Sequence, residues 1–370
     1  MRVAFYAPMK PPGHPVPSGD RRMARLLIEA LRRRGHEVRV ASRLRSWDPG
    51  LDPARPGRIE ALGGRIADRL VRRWQAGGAD RPDLWFTYHL YHKAPDWLGP
   101  PVADALGIPY VAAEASHAPR RAEGPWAAGH RAAEAAIRQA AALVTFSERD
   151  AAGLSALAPA DRIVRLPPFL DAAPFTAIPR RPADPPRLIA IGMMREGDKE
   201  RSYTLLADAL RRLGDRPWTL MVVGDGPARP RIEPLFDPAR TEFRGALPPE
   251  SLPAVLGEAD LFVWPAINEA FGMALLEAQA AGLPAVAGAA GGDAGGVAAI
   301  LRQGETGLLV PPGDAVAFAD AVAALLDDPA RRRAMGEAAR ANVLVRHDIP
   351  AAAAILDRTL ARVAAGQAPA

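Results

Sequence analysis

Glu269 and Glu277 stand at the two ends of the stretch Asn268-Glu269-Ala270-Phe271-Gly272-Met273-Ala274-Leu275-Leu276-Glu277. Ahead of them Leu261–Trp264 is a short apolar run of the kind that forms a buried parallel strand. Behind them Gly282 and Pro284 close a helix. The segment therefore reads as strand, tight loop, helix and turn, with the next strand near Ala285–Ala287. Glu269 falls in the loop outside the strand's carboxyl end, where open α/β sheets place ligands. The N–H groups of Phe271, Gly272, Met273 and Ala274 open the helix without internal partners, which suits an anion. Carboxylates take hydroxyls and backbone amides take phosphate, so the segment is equipped for a ligand carrying both. A helix cap at Asn268, a favourable charge at Glu269 and a solvated Glu277 would account for the same residues without a ligand. The close backbone approach permitted by Gly272 and the apolar flanks weigh against that.

Cations stand in a second loop. Gly192-Met193-Met194-Arg195-Glu196-Gly197-Asp198-Lys199 follows an apolar run at Leu188–Ile191. A lysine in the first turn of a helix opposes the helix dipole, so Lys199 calls for an anion nearby. Val223-Gly224-Asp225-Gly226-Pro227 is turn chemistry at the end of another strand. Gly291-Gly292 and Gly295-Gly296 make a loop able to approach phosphate or sugar closely. In the first half of the chain Gly19-Asp20 opens a helix, and His117 follows a strand at Tyr110–Ala113. The run Tyr88-His89-Leu90-Tyr91-His92-Lys93, with Arg120, Arg121 and Glu123, adds polar groups at strand ends, where sites concentrate.

The elements that must hold these residues come in two sets. Leu26–Gly35 repeats as Leu205–Gly214: each is an amphipathic helix ending in glycine, each follows a strand (Arg2–Tyr6, Leu188–Ile191), and each leads to another (Val38–Ala41, Leu220–Val223). Two such openings predict two doubly wound α/β units. Further strands are expected at Leu84–Tyr88, Leu143–Thr145 and Ile163–Leu166. Prolines 174, 179, 182, 185 and 186 crowd a short stretch that cannot continue a helix or central strand. The expected division is 1–173 for the first unit, 174–186 for a linker and 187–346 for the second unit, with a final helix at 351–364 returning to the first.

At 370 residues and 49% hydrophobic content, each unit can bury a core. Cysteine is absent, so there is no disulfide framework and no thiolate metal site, which fits a reducing compartment. The chain opens directly on a strand, which leads us to expect no signal peptide, and no apolar run is long enough to span a bilayer. The net charge of +5 and pI near 9.9 come from arginines scattered over helix faces without an aromatic platform, which argues against nucleic acid. Residues 65–74 read as a basic amphipathic helix suited to an anionic membrane surface, or as an ordinary solvated helix.

Residues Asn268–Pro284 resemble the paired-glutamate motif of the family 4 retaining glycosyltransferases, and the resemblance is strongest from Leu188 to Pro312. It implies the GT-B fold, two Rossmann-like domains facing each other across a cleft, and transfer of a hexose from a UDP- or GDP-sugar with retention. The acceptor stays unnamed; a glycan or a lipid-linked glycan is the expected class. By the same resemblance Glu269 and the amides after it hold the donor sugar, Glu277 takes the ribose hydroxyls, and Lys199 takes the diphosphate. Met193 stands where the family carries an arginine, and Arg195 is assigned that task. Gly224 would lie beside the nucleotide, Ala246 would belong to the backbone segment that reads the base, Gly19 would admit the donor phosphate, and His117 would stand near sugar and acceptor. Glu305–Pro312 matches a family hallmark that looks structural. No metal and no other cofactor is expected, since the chain has no Asp-x-Asp pair. The expected location is cytoplasmic, with peripheral contact at the inner membrane face. A sugar-nucleotide epimerase of the same fold and a non-catalytic nucleotide-sugar-binding subunit are the rival readings; the Ser-Gly-Gly expected before an epimerase's glutamates is absent.

Overall fold

The computed structural model describes residues 1–16, 18–77, 80–269, 272–288 and 296–366. Ala270, Phe271, Gly291, Gly292 and Gly295 lie outside them. The chain divides into two compact units, Met1–Leu166 with Ala352–Ala370, and Pro167–Ala351. Each is built on one six-stranded sheet whose strand pairs are all parallel.

The first sheet comprises β1 (Arg2–Tyr6), β2 (Glu37–Val40), β3 (Leu84–Leu90), β4 (Tyr110–Ala115), β5 (Ala142–Thr145) and β6 (Ile163–Arg165), in the order β2-β1-β3-β4-β5-β6. The second comprises β7 (Arg187–Ile191), β8 (Thr219–Val223), β9 (Thr241–Phe243), β10 (Leu261–Trp264), β11 (Ala285–Gly288) and β12 (Gly307–Val310), in the order β12-β11-β10-β7-β8-β9. The second order is that of a doubly wound dinucleotide-binding sheet and the first that of the flavodoxin type, extended by a strand. Both reverse direction once, between β1 and β3 and between β7 and β10. At those points the loops leaving two neighbouring strands diverge and open a crevice. Strands covered on both faces must be apolar throughout, and β5, β10 and β11 are buried at every position.

The repeated helices fill equivalent places. Gly19–Arg33 follows β1 and Asp198–Arg211 follows β7, and the terminal glycines Gly35 and Gly214 both take left-handed φ, 76° and 62°. Two expectations gain detail. The linker expected at 174–186 is fastened to the second unit: Arg180 donates to the carbonyls of Gly282 and Ala259 at 3.0 and 3.1 Å, and Ala183 donates to Asp260 at 3.1 Å. The helix containing residues 65–74, Arg55–Gln75, buries Ala67, Leu70 and Trp74 in the first unit, with Trp74 edge-on to Trp85 at 6.4 Å. The apolar stripe that would enter a bilayer is thus already covered. Among the described residues no helix is long and apolar enough to cross a membrane. The final helix, Ile349–Ala364, is fixed to the first unit by Asp357, which pairs with Arg34 at 3.0 Å and His36 at 3.1 Å.

The ends of β7 and β8 are laced together by backbone. Gly192 donates to Val223 and Met194 donates to Asp225, while Gly224 donates to Gly245 in the segment after β9. Gly224 has φ 142°, and a Cβ there would stand 1.9 Å from the Gly192 carbonyl oxygen. Its hydrogen is the only substituent that fits. Gly19, by contrast, has nothing within 4 Å of a Cβ and an ordinary φ. Gly224→Ala should therefore lower stability by about 1–3 kcal/mol, the usual toll of overpacking, and Gly19→Ala by far less. Urea midpoints for the two variants check this, and equal midpoints would refute it.

Candidate active site

The loop after β10 is shaped before any ligand arrives. Ala266 and Asn268 hold left-handed φ of 55° and 50°, and Gly272 follows at 63° as the cap of the helix Met273–Ala280. For alanine that conformation costs on the order of 1–2 kcal/mol, so neighbours must hold it. They do so from the first turn of Asp198–Arg211: Ile267 N donates to Ser202 Oγ at 3.1 Å, and Asn268 Nδ2 donates to Asp198 Oδ1 at 3.2 Å. The turn is closed by Glu269 N donating to the Ala266 carbonyl at 3.2 Å.

These latches bring together two residues predicted from separate motifs. Lys199 Nζ pairs with Glu269 Oε2, and Trp264 Nε1 donates to the same oxygen at 3.1 Å. Lys199 also lies 5.2 Å from the centre of the Trp264 ring, a cation–π contact. The indole is backed edge-on by Tyr203 at 4.9 Å, and the Tyr203 hydroxyl donates to the Gly192 carbonyl at 2.7 Å. The pair is partly buried, with side chains 27% and 19% exposed. It spans the point where the second sheet reverses, Lys199 at the start of the helix after β7 and Glu269 in the loop after β10. Trp264 is the member the sequence reading missed; its place as the last residue of β10 was the available signal.

The remaining predicted residues fall around this pair or apart from it. Met273 and Ala274 begin their helix, and Glu277 lies within it, 3% exposed. That removes the solvated-face explanation, because water does not hold this carboxylate. Gln279 in the same helix donates to the Thr306 carbonyl at 2.8 Å, and Thr306 Oγ accepts from Arg302 N, which makes the segment after Glu305 a structural brace. Arg195 is exposed. Ala246 is exposed in the loop after β9. Gly224 packs on Gly192, so its missing side chain makes room for backbone. Phe271 is not described.

Gly19 and His117 belong to the first unit, where the reversal point carries a charged group of its own. His89, at the end of β3, places Nδ1 3.1 Å from Asp20 Oδ1 and 3.9 Å from Glu114 Oε2 at the end of β4. His89 and Glu114 hold left-handed φ of 65° and 54°; with Ala266 and Asn268 they are the non-glycine residues of positive φ among those described. All four lie at strand ends beside the reversal points, where strain tends to be kept for function. His117 stacks on His130 with ring centres 5.3 Å apart. Sequence reasoning noted His89 and Asp20 singly, but only the strand order brings Asp20, His89 and Glu114 together.

Residues 185–328 match the model of the family described as glycosyl transferases group 1. The alpha-D-kanosaminyltransferase of Streptomyces kanamyceticus is 32% identical over 243 residues, 61% of this chain and 60% of that protein. The chain thus spans about three fifths of that relative's length. Sucrose-phosphate synthase from Thermosynechococcus elongatus superposes with a TM-score of 0.70 at 22% identity, covering 99% of this chain and 100% of that one. Anabaena HepE, solved in complex with UDP, gives 0.69 at 16% identity over 98% and 100%. At these identities the two structures speak for the fold alone.

The charges at the first unit's reversal point make stability depend on pH. Burial opposes the charge on His89, yet Glu114 and Asp20 outweigh it, and its pKa lies above the ordinary value. Burial pushes Glu114 up, and His89 holds Asp20 down. A raised histidine pKa stabilises the fold below its unfolded value of about 6.5 and is lost as pH rises through the native value. The raised Glu114 acts in the same direction, while the Asp20 contribution disappears only as pH falls below about 4. Melting curves of the protein and His89→Gln between pH 5.5 and 9 should differ most at the acid end and converge with rising pH. A constant gap would show that His89 is not charged in the fold.

Proposed function

Because residues 185–328 match the glycosyl transferases group 1 model and the chain shares the fold of solved GT-B structures, we propose that the protein transfers a hexose from a nucleotide diphosphate sugar to an acceptor hydroxyl, with retention at the anomeric carbon. The observation that carries this is the Lys199–Glu269 pair on Trp264 at the reversal point of the second sheet. Such a pair offers an ammonium to a diphosphate and a carboxylate to sugar hydroxyls from one place. A UDP- or GDP-sugar presents those two groups side by side, and the UDP complex of the structurally similar HepE agrees with a uridine donor.

In this reading Glu269 accepts from the donor sugar, and the amides of Gly272, Met273 and Ala274 at the helix start face its oxygens. Glu277 takes the ribose hydroxyls. Lys199, joined by Arg195 from the loop before its helix, neutralises the charge that develops as the bond between sugar and diphosphate breaks. Gly19 leaves room for a phosphate where a side chain would stand, and Ala246 lies on the base side. The same reading assigns His117 to sugar and acceptor. With cation and dipole in these places the transfer needs no divalent metal. The acceptor is a hydroxyl compound; the similarity to a kanosaminyltransferase is compatible with a small polar one.

Glu269→Gln keeps the shape of the side chain and removes its charge. It should nearly abolish product formation while nucleotide diphosphate still binds in calorimetry; turnover at the level of the unaltered protein would end the assignment. Lys199→Ala should lose about 10²–10³ in rate, the usual loss when one preorganised donor is removed. EDTA should change the rate of the intact protein very little. Activity that vanishes on chelation and returns with magnesium or manganese would overturn the mechanism.

A further inference from the structure

Glu134 is approached by two imidazoles that do not hydrogen-bond to it. His117 Nε2 stands 3.6 Å and His130 Nε2 3.5 Å from the same oxygen, Glu134 Oε2. Both separations exceed the 2.7–3.2 Å of a good N–H···O bond. They lie close to roughly 3.4 Å, the edge of a tetrahedron whose metal–ligand bonds are about 2.0–2.1 Å. One ligand atom from each of His117, His130 and Glu134 fits within a 4.8 Å span, and no other such set of three occurs among the described residues.

The three side chains come from two elements. His130 and Glu134 are one turn apart on the helix Ala127–Gln139, so they project from one face. His117 comes from the segment after β4 and stacks on His130 with an 18° angle between rings, so the two imidazoles present the same edge to the carboxylate. The start of the helix is fixed by Gly129, where a Cβ would stand 2.2 Å from the His92 carbonyl oxygen. Glu134's other oxygen, Oε1, accepts from Arg138 Nη2 at 2.9 Å, the outer support typical of a ligating carboxylate. His130 is buried, and Glu134 is 31% exposed, which leaves one side open.

We propose that His117, His130 and Glu134 form a binding site for a first-row transition-metal ion of the zinc type, with a fourth position open to solvent or an anion. Two imidazoles and one carboxylate suit zinc, copper, nickel or iron and are poor ligands for magnesium. The site goes beyond the transfer reaction proposed above. Its one link to that reaction is that a bound ion occupies His117, so zinc should inhibit rather than support transfer.

The test is calorimetric titration of tag-free, chelator-treated protein with zinc sulfate and, separately, magnesium sulfate. One equivalent of zinc should bind and magnesium should not. Glu134→Ala and His130→Asn, checked by circular dichroism for an intact fold, should each weaken zinc binding at least tenfold. Loading with cobalt(II) should give the visible bands of a low-coordinate ion, and these should be absent in Glu134→Ala. Failure to bind zinc, or zinc binding unchanged in a folded Glu134→Ala, overturns the site whether or not the protein proves to be a glycosyltransferase. If His130→Asn does not fold, Glu134→Ala decides the matter alone.

Discussion

Everything at the candidate site depends on one ion pair made across a sheet reversal. Lys199 and Glu269 are 70 residues apart in the chain and meet only because β7 and β10 are neighbours in the sheet. A partly buried carboxylate and ammonium each gain from a counter-charge. Each supplies the other's, and Trp264 holds both, through a hydrogen bond to one and its ring face to the other. The backbone lacing of β7 to β8 through Gly192 and Gly224 then fixes where Trp264 can stand, because Tyr203 hangs from the Gly192 carbonyl and braces the indole. Glycine at 224, tyrosine at 203 and tryptophan at 264 are thus one mechanical chain ending on Glu269.

The first unit solves a similar problem with different chemistry. Its reversal point carries Asp20, His89 and Glu114, a histidine between two acids. A histidine's charge depends on its surroundings, and here the two acids raise the pKa of His89, so the group in the first unit responds to pH. Both units place left-handed non-glycine residues beside these groups, which aims side chains that an extended strand end would turn elsewhere.

The sequence revealed the elements better than their meetings. β10, its loop and the helix of Glu277 were legible because an apolar run, a glycine and a proline mark each boundary by local physics. The paired helices were legible because Gly35 and Gly214 end them in the same left-handed conformation. Which loops face one another was not legible, since strand order leaves no trace in periodicity. So Lys199 and Glu269 were found separately, Trp264 was read only as a strand residue, and the triad of Asp20, His89 and Glu114 was not assembled. Gly224 was read as a turn beside the nucleotide; that a Cβ there would meet the Gly192 carbonyl is a contact between loops that motif reading does not weigh. His130 and Glu134 did carry a local signal, one helical turn of spacing, but their third partner comes from a different element.

A paired site has a consequence for how a ligand enters it. A diphosphate that takes Lys199 leaves Glu269 without its counter-ion, still holding the Trp264 N–H and still partly buried. A ligand bearing only phosphate would therefore gain one charged contact and lose another. A ligand that also brings hydroxyl donors to Glu269 restores both, because each buried charge regains hydrogen bonds. The geometry thus favours a molecule with phosphate and hydroxyls in register over phosphate alone, and it does so through the pair rather than through added contacts. The latches from Asp198 and Ser202 keep the loop in place during that exchange, so the selectivity is built in before binding.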